Sequence, residues 1–182
     1  VEVQGREYEL DCLIYATGFE VGTDYSHRAD IELLGRDGVS LTEAWADGVR
    51  SLHGMHVHGF PNCFILSNSQ AGFTVSYPHL LDEQAKHIAY IVNAASDKNC
   101  VEVEVTQESE ASWIQQCIDK ARDAGDFLEN CTPGYYNNEG RSGNRNAQDG
   151  FYGGGSIEFF HILQQWRDEG GLDGLRLKQS ES

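Results

Sequence analysis

The sequence predicts an α/β fold in which helices pack on an incomplete sheet. Three observations carry that expectation. Short apolar runs bounded by turn formers, Leu13-Ile14-Tyr15 and Cys63-Phe64-Ile65-Leu66, read as strands buried on both faces. Three later segments repeat apolar residues at helical spacing. Between them, Val101, Val103 and Val105 alternate with Glu102 and Glu104 as a strand with one wet face.

Taken in order, Val1, Val3, Tyr8 and Leu10 alternate around Gln4-Gly5, the pattern of a hairpin leading into the strand at Leu13. Ile31 and Leu33, the turn Arg36-Asp37-Gly38, then Val39 and Leu41 predict a second short ribbon. Thr42 is placed to cap a helical turn carrying Ala44 and Trp45, with Trp45 as a core or sheet-edge anchor. Leu52 to Val57 reads as a strand entering the turn Gly59-Phe60-Pro61-Asn62. A polar loop, Ser67 to Gly72, follows the run at Cys63. A helix is expected from Pro78 to Ala95 with Leu81, Ala85, Ile88 and Val92 inward, Pro78 in its first turn, and Asp82 and Glu83 favouring its positive start. Another starts near Glu108, turns Ile114, Cys117, Ile118 and Ala121 inward and stops at Gly125. Asn130 to Gly155 is rich in Asn, Gly and Tyr and reads as a long loop. Ser156 is expected to cap a last helix through Ile157, Phe160, Leu163 and Trp166 that ends at Gly170-Gly171, before a terminal strand at Leu175 to Leu177.

The 182 residues are enough for one core, and the formal net charge is −16. That charge argues against nucleic acid and anionic membranes as partners, because both need clustered Lys and Arg. No stretch is apolar enough to span a bilayer. The five cysteines form no C-x-x-C pair and read as small core residues of a reducing, cytoplasmic compartment. The chain opens on Val1 in a pattern already alternating as in mid-sheet, so we expect a fragment whose partner segment supplies part of its core, and marginal stability for residues 1–182 alone.

Two crests stand where strands run into loops, the usual place for ligands in an open α/β sheet. At the first, Ala16-Thr17-Gly18 puts three small residues where a flat or phosphorylated ligand could approach the main chain. An ordinary glycine turn closing a buried strand accounts for it equally well. At the second, Asn68-Ser69-Gln70-Ala71-Gly72 feeds a helix whose N–H groups and positive end favour an electron-rich acceptor. A plain βα loop is the bland alternative there. His53, His56 and His58 suggest a metal, since His56 and His58 would share a strand face, but no acidic or cysteine ligand stands near, so no metal site is expected. Gly153-Gly154-Gly155-Ser156 has the look of a phosphate cradle but lacks the G-x-G-x-x-G spacing and a preceding apolar strand, so it is a weak signal. No Ser/His/Asp or Cys/His set stands out, and no catalytic residue is assigned.

Asp11-x-x-x-x-Ala16-Thr17-Gly18-Phe19, Gly35-Arg36-Asp37-Gly38, Leu41-x-x-Ala44-Trp45, Gly59-Phe60-Pro61-Asn62 and Pro133-Gly134-Tyr135-Tyr136-Asn137-Asn138-Glu139-Gly140 occur in that order. Together they resemble the C-terminal third of Baeyer–Villiger monooxygenases, especially the branch acting on large cyclic or steroid-like ketones. The resemblance runs from about Asp11 to Leu177. It implies the C-terminal part of a Rossmann-like flavoprotein with two dinucleotide-binding domains. Residues 1–25 would end the NADPH domain and its linker strand, and residues 26–182 would belong to the FAD domain, with the loop at 130–155. By that resemblance FAD, NADPH, O2 and a ketone are the expected cofactors and substrates, giving an ester or lactone. The missing N-terminal part of the same chain is the expected partner. Carried over by motif, Ala16, Thr17, Gly18, Phe19, Asn68, Ser69 and Gln70 contact cofactor, while Gly72, Phe73, Thr74 and Val75 border the ketone pocket. Ser69-Gln70-Ala71-Gly72 departs from the family's Gly-Pro-Gly-Ser-Pro version, which bears on loop shape and substrate size. Asp126-Phe127 stands where many relatives carry a Trp near the nicotinamide, so that role is not transferred. Both glycine-rich fingerprints are absent, so the fragment alone is expected to be inactive. Two alternatives stay open: a flavin N- or S-oxygenase, and a non-catalytic module without flavin.

Overall fold

A computed structural model describes residues 1–16, 30–122 and 147–180. The first hairpin forms as expected. Strands β1 (Glu2–Val3) and β2 (Arg6–Glu7) pair antiparallel across Gln4 and Gly5, both at positive φ, as a two-residue turn requires. The run beyond it is not a buried strand. Ile14 is 81% exposed and Tyr15 80%, and Leu13 is also exposed. A strand buried on both faces needs a neighbour on each side, and none of the described strands pairs with this one.

Residues 33–41 close the second ribbon around a 3-10 turn at Arg36–Gly38, with Leu34 bridged to Ser40. Ser40, not Thr42, caps helix α1 (Leu41–Ala44). Its hydroxyl accepts from the Glu43 N–H, and the Glu43 carboxylate accepts from the Ser40 N–H, a reciprocal capping box. Trp45 packs beside Leu41, Val57, Phe60 and Ile65 and donates its indole N–H to the Arg50 carbonyl at 2.9 Å.

Leu52 to Val57 is a tight reversal rather than a strand. His53 and Gly54 both take positive φ, and Leu52 and His56 bridge across the turn. His56 and His58 therefore share no strand face. The run Cys63 to Leu66 also forms no strand; Ile65 is buried and donates to the Met55 carbonyl, while Leu66 faces out. The turn Gly59 to Asn62 forms as expected, with Gly59 and Asn62 at positive φ.

Helix α2 (Tyr77–Asp97) has Pro78 in its first turn, but its inward face is rotated by one residue from the expected one. Leu80, Gln84, His87, Ile91 and Ala95 are buried, whereas Ala85 and Val92 face solvent. Two of the five buried positions are polar, so a count of apolar residues favours the neighbouring face. Asp82 and Glu83 both pair with Lys86 instead of meeting the helix start.

Strand β3 (Cys100–Val105) leads through the cap Thr106 into helix α3 (Gln107–Asp119). Trp113, unassigned from the sequence, is the centre of its buried face, with Ile114 and Cys117; Ile118 is exposed. Gly125 lies outside the described residues. Helix α4 (Ser156–Glu169) has Gly155, not Ser156, at its cap and closes on Gly170 in the left-handed region, as expected. Phe159 and Leu163 face inward and Ile157 faces out. Strand β4 (Leu175–Gln179) returns antiparallel to β3, with Val103 opposite Leu177 and an irregularity between Cys100 and Glu102. Asn62 secures β3 on its other edge. Its side-chain oxygen accepts from the Val103 N–H, and its amide donates to the Val101 carbonyl.

Glu104 was expected on the wet face of β3 but is only 5% exposed. Arg36 reaches across to it at 3.0 Å, and the Gly59 N–H donates at 3.1 Å. Burial alone would raise its pKa; Arg36 and Gly59 outweigh that and hold the carboxyl below its usual range. Glu110 of α3 is buried in the same manner, accepting from Arg50 and from the His58 N–H.

The core gathers His53, His56 and His87 beside Trp113 and Trp166, with His53 and His87 ring centroids 5.3 Å apart. Burial pushes His53 down to about 3, with a further contribution from His56; His56 falls to about 4 and His87 to about 2. These rings are neutral when folded, whereas an unfolded histidine takes a proton below about pH 6.5. The unfolded chain therefore binds more protons below that value, and stability falls with pH. We predict a declining urea midpoint between about pH 6.5 and 5, above the carboxylate range. His87→Leu should flatten that decline by up to about 1.4 kcal/mol per pH unit. A midpoint independent of pH across that window would contradict the neutral buried cluster.

Candidate functional site

The loop 67–72 lies between the buried Ile65 and helix α2, and buried polar contacts hold it from below. Gln84 of α2 donates its amide to the Ser67 carbonyl at 2.8 Å. Gln70 is 0% exposed and sits at positive φ, a costly backbone for a residue with a side chain. Its amide nitrogen donates to the Val49 carbonyl at 2.7 Å and to the Gln148 carbonyl at 3.2 Å. Its amide oxygen accepts from the Ser51 hydroxyl at 2.6 Å. Main-chain bonds run alongside: Gln70 N–H to the Gly150 carbonyl, and Tyr152 N–H to the Ala71 carbonyl.

The segment 147–152 is therefore bolted to the loop. Gln148 also donates to the Val49 carbonyl, and Asp149 accepts from the Val49 N–H at 2.7 Å. Tyr152 is buried and stacks on Trp113, with ring centroids 5.1 Å apart and planes 14° from parallel. Its hydroxyl donates to Glu158, which also pairs with Lys120. Burial, and then Glu158, raise the Tyr152 pKa.

The glycine run after Tyr152 is a packing device. A Cβ on Gly153 would fall 1.7 Å from the Lys120 carbonyl oxygen, and one on Gly154 2.5 Å from the Tyr152 ring. Gly153 passes close to the end of α3, Gly154 lies against Tyr152 and Glu158, and Gly155 takes positive φ at the cap of α4, so close packing and backbone conformation account for the triplet. Gly72 is used likewise: its Cβ would meet the Ser156 Cα at 2.8 Å and the Phe159 Cβ at 2.9 Å.

Of the expected site residues, Thr17, Gly18 and Phe19 lie outside the described residues, and Ala16 is exposed. The structure brings Asn68, Ser69 and Gln70 together with Gly72, Phe73, Thr74 and Val75 in one continuous loop. Asn68 and Ser69 are half-buried, and among the described residues their side chains make no hydrogen bond, so their polar groups can meet a ligand. Gln70 differs, because both its amide hydrogens are already spent on main-chain carbonyls. Past Gly72 the surface turns apolar. Phe73 and Val75 are exposed, and Phe73 packs on Phe151 at 4.6 Å between ring centroids. Phe151 was not singled out from the sequence; only its place beside the buried Tyr152 brings it here. Helix α2 starts above this border, and Ser76 provides no side-chain cap. Among the described residues no three His, Cys, Asp or Glu side chains are arranged to hold a metal, and no helix is long and apolar enough to cross a membrane.

No family model matches the chain. Pentalenolactone D synthase of Streptomyces exfoliatus is 48% identical to it over 180 residues, 98% of this chain and 31% of that protein. A Baeyer-Villiger monooxygenase of Stachybotrys chlorohalonatus is 40% identical over 178 residues, 97% of this chain and 28% of that protein. In structure the chain is similar to the polycyclic ketone monooxygenase from the thermophilic fungus Thermothelomyces thermophila, with a TM-score of 0.82 and 31% identity, covering 97% of this chain and 29% of that one. It is also similar to cyclohexanone monooxygenase from Rhodococcus sp. Phi1 bound to NADP+, with a TM-score of 0.76, 26% identity and coverage of 97% and 32%. The chain thus spans about three tenths of the length of the curated relatives it matches.

Because a Cβ on Gly72 would meet both the first residue and the buried face of α4, Gly72→Ala should cost about 1–3 kcal/mol. Chemical denaturation of the full-length protein carrying the change would measure this. An unchanged midpoint would show that the loop does not rest on α4.

Proposed function

Starting from a chain that belongs to the Baeyer–Villiger monooxygenase family, we propose that it forms part of an FAD- and NADPH-dependent enzyme that converts a ketone to an ester or lactone. The proposed enzyme is larger than this chain. In it, residues 1–25 close the NADPH domain, residues 26–182 complete the FAD domain of a Rossmann-like flavoprotein, and a segment outside this chain carries both dinucleotide fingerprints. Relatives that are about three times as long support the larger size.

The observation that carries the reading is the loop 67–75, in which unspent polar side chains adjoin an exposed apolar border. The donor set fits a flavin. Asn68 and Ser69 have unengaged polar groups, and the start of α2, lacking a side-chain cap, presents the Tyr77 N–H and a positive dipole end to an electron-rich ring. When bound, FAD reduced by NADPH supplies the electrons for oxygen transfer, one atom of O2 going to the product and the other to water. The residues of this chain bind and shield. Asn68 and Ser69 orient the ring by hydrogen bonds. Phe73 and Val75, with Thr74 between them, offer the ketone an apolar wall that excludes water. Gly72 keeps that wall against α4. No acid or base in this chain is assigned to the chemistry.

The full-length protein should purify yellow and, with NADPH and labelled O2, place one labelled oxygen in an ester or lactone. Oxidation of amines or sulfides without ester formation would overturn the ketone assignment, and a colourless protein would overturn the flavin. Asn68→Ala should weaken FAD binding by up to about tenfold, the effect of one hydrogen bond.

A further inference from the structure

The geometry assigns to Gln70 a role as a positioning residue: it makes the loop 67–72 and the segment 147–152 one rigid unit, so that the proposed flavin side and the Phe151 side of the apolar border keep a fixed spacing. The inference rests on the flavin reading for its consequence, and on the hydrogen bonds alone for its mechanics.

Neighbouring residues would supply a looser contact. Gln70 is wholly buried, and its carboxamide reaches two separate stretches of chain, Val49 with Ser51 and Gln148, while its main-chain N–H adds a second bond to the latter stretch at Gly150. Two carbonyl oxygens converge on one nitrogen. Only a group with two N–H bonds satisfies both, so glutamine is required where glutamate would set a carboxylate against two carbonyls. Its left-handed backbone is unfavourable for a residue with a side chain, and such a conformation persists only where the surroundings over-determine it. The bonds between Tyr152 and Ala71 and between Asp149 and Val49 extend the same joint. Phe151 lies between Gly150 and Tyr152, both tied to the loop, so its ring is carried with Phe73 as a pair.

Hydrogen exchange on the full-length protein tests this directly. In Gln70→Leu, amides in 67–72 and 147–152 should speed up together by about tenfold or more, while those of residues 84–92 in α2 stay within about twofold. Ser51→Ala, which removes one bond and leaves the two donor bonds, should give the same pairing at smaller amplitude. Faster exchange in 67–72 alone would overturn the coupling. In the flavin-loaded protein, Gln70→Leu should shift the visible band and circular dichroism of the flavin that remains bound. Loss of flavin with an unaltered spectrum of the remainder would reduce Gln70 to a stability residue and overturn the positioning role. A wild-type full-length protein that binds no flavin would defeat the flavin reading, and the exchange result would still stand or fall by itself.

Discussion

A carboxamide with no exposed surface must find a partner for each of its polar hydrogens, and at Gln70 that requirement joins segments far apart in sequence. The Val49 and Gln148 carbonyls, 21 and 78 residues away, meet at its nitrogen. The same bonds hold a left-handed residue in the middle of the loop 67–72. Once it is held, Gly72 is delivered to the start of α4, Ala71 pairs with Tyr152, and Tyr152 reaches Trp113 in the core. The proposed ligand surface is thus the outer side of a joint whose inner side is held by the Gln70 carboxamide.

Two buried carboxylates extend the same logic. Glu104 and Glu110 leave the solvent only because Arg36 and Arg50, with main-chain N–H groups of Gly59 and His58, meet them. Each tie fastens residues 36–59, which are mostly turns, to β3 or α3. Turn-rich chain has little periodic hydrogen bonding, so ion pairs and caps take that place. The histidines beneath are neutral for the opposite reason: among the described residues no carboxylate pairs with them, and burial without a counter-charge removes the proton.

The sequence revealed local punctuation well and long-range partners poorly. The hairpin at Gln4-Gly5, the turn at Gly59 to Asn62, Pro78 in its first helical turn and the stop at Gly170 follow from backbone preferences of single residues. The inward face of α2 did not, because Gln84 and His87 are buried by partners that no helical period reports. Ser40-x-x-Glu43 was legible as a capping box, although Thr42 drew the assignment. The apolar runs at Leu13 and Cys63 have strand composition without strand neighbours, and pairing is not a property of the run itself. In the site, the polar loop Ser67 to Gly72 ahead of a helix was legible from its residues. The inward turn of Gln70 and the arrival of Phe151 were not, since both depend on a segment some 80 residues downstream that carries no hydrophobic period.

The central claim is that the outer side of the loop, Asn68 and Ser69 with the Tyr77 N–H at the start of α2, faces a flavin. It is tested most directly by amide exchange of the full-length protein with its flavin bound and after its removal. The account predicts that amides at 68, 69 and 77 gain protection with flavin, while those of β3 and α3 are unchanged. Equal exchange at those three positions in the two states would contradict it.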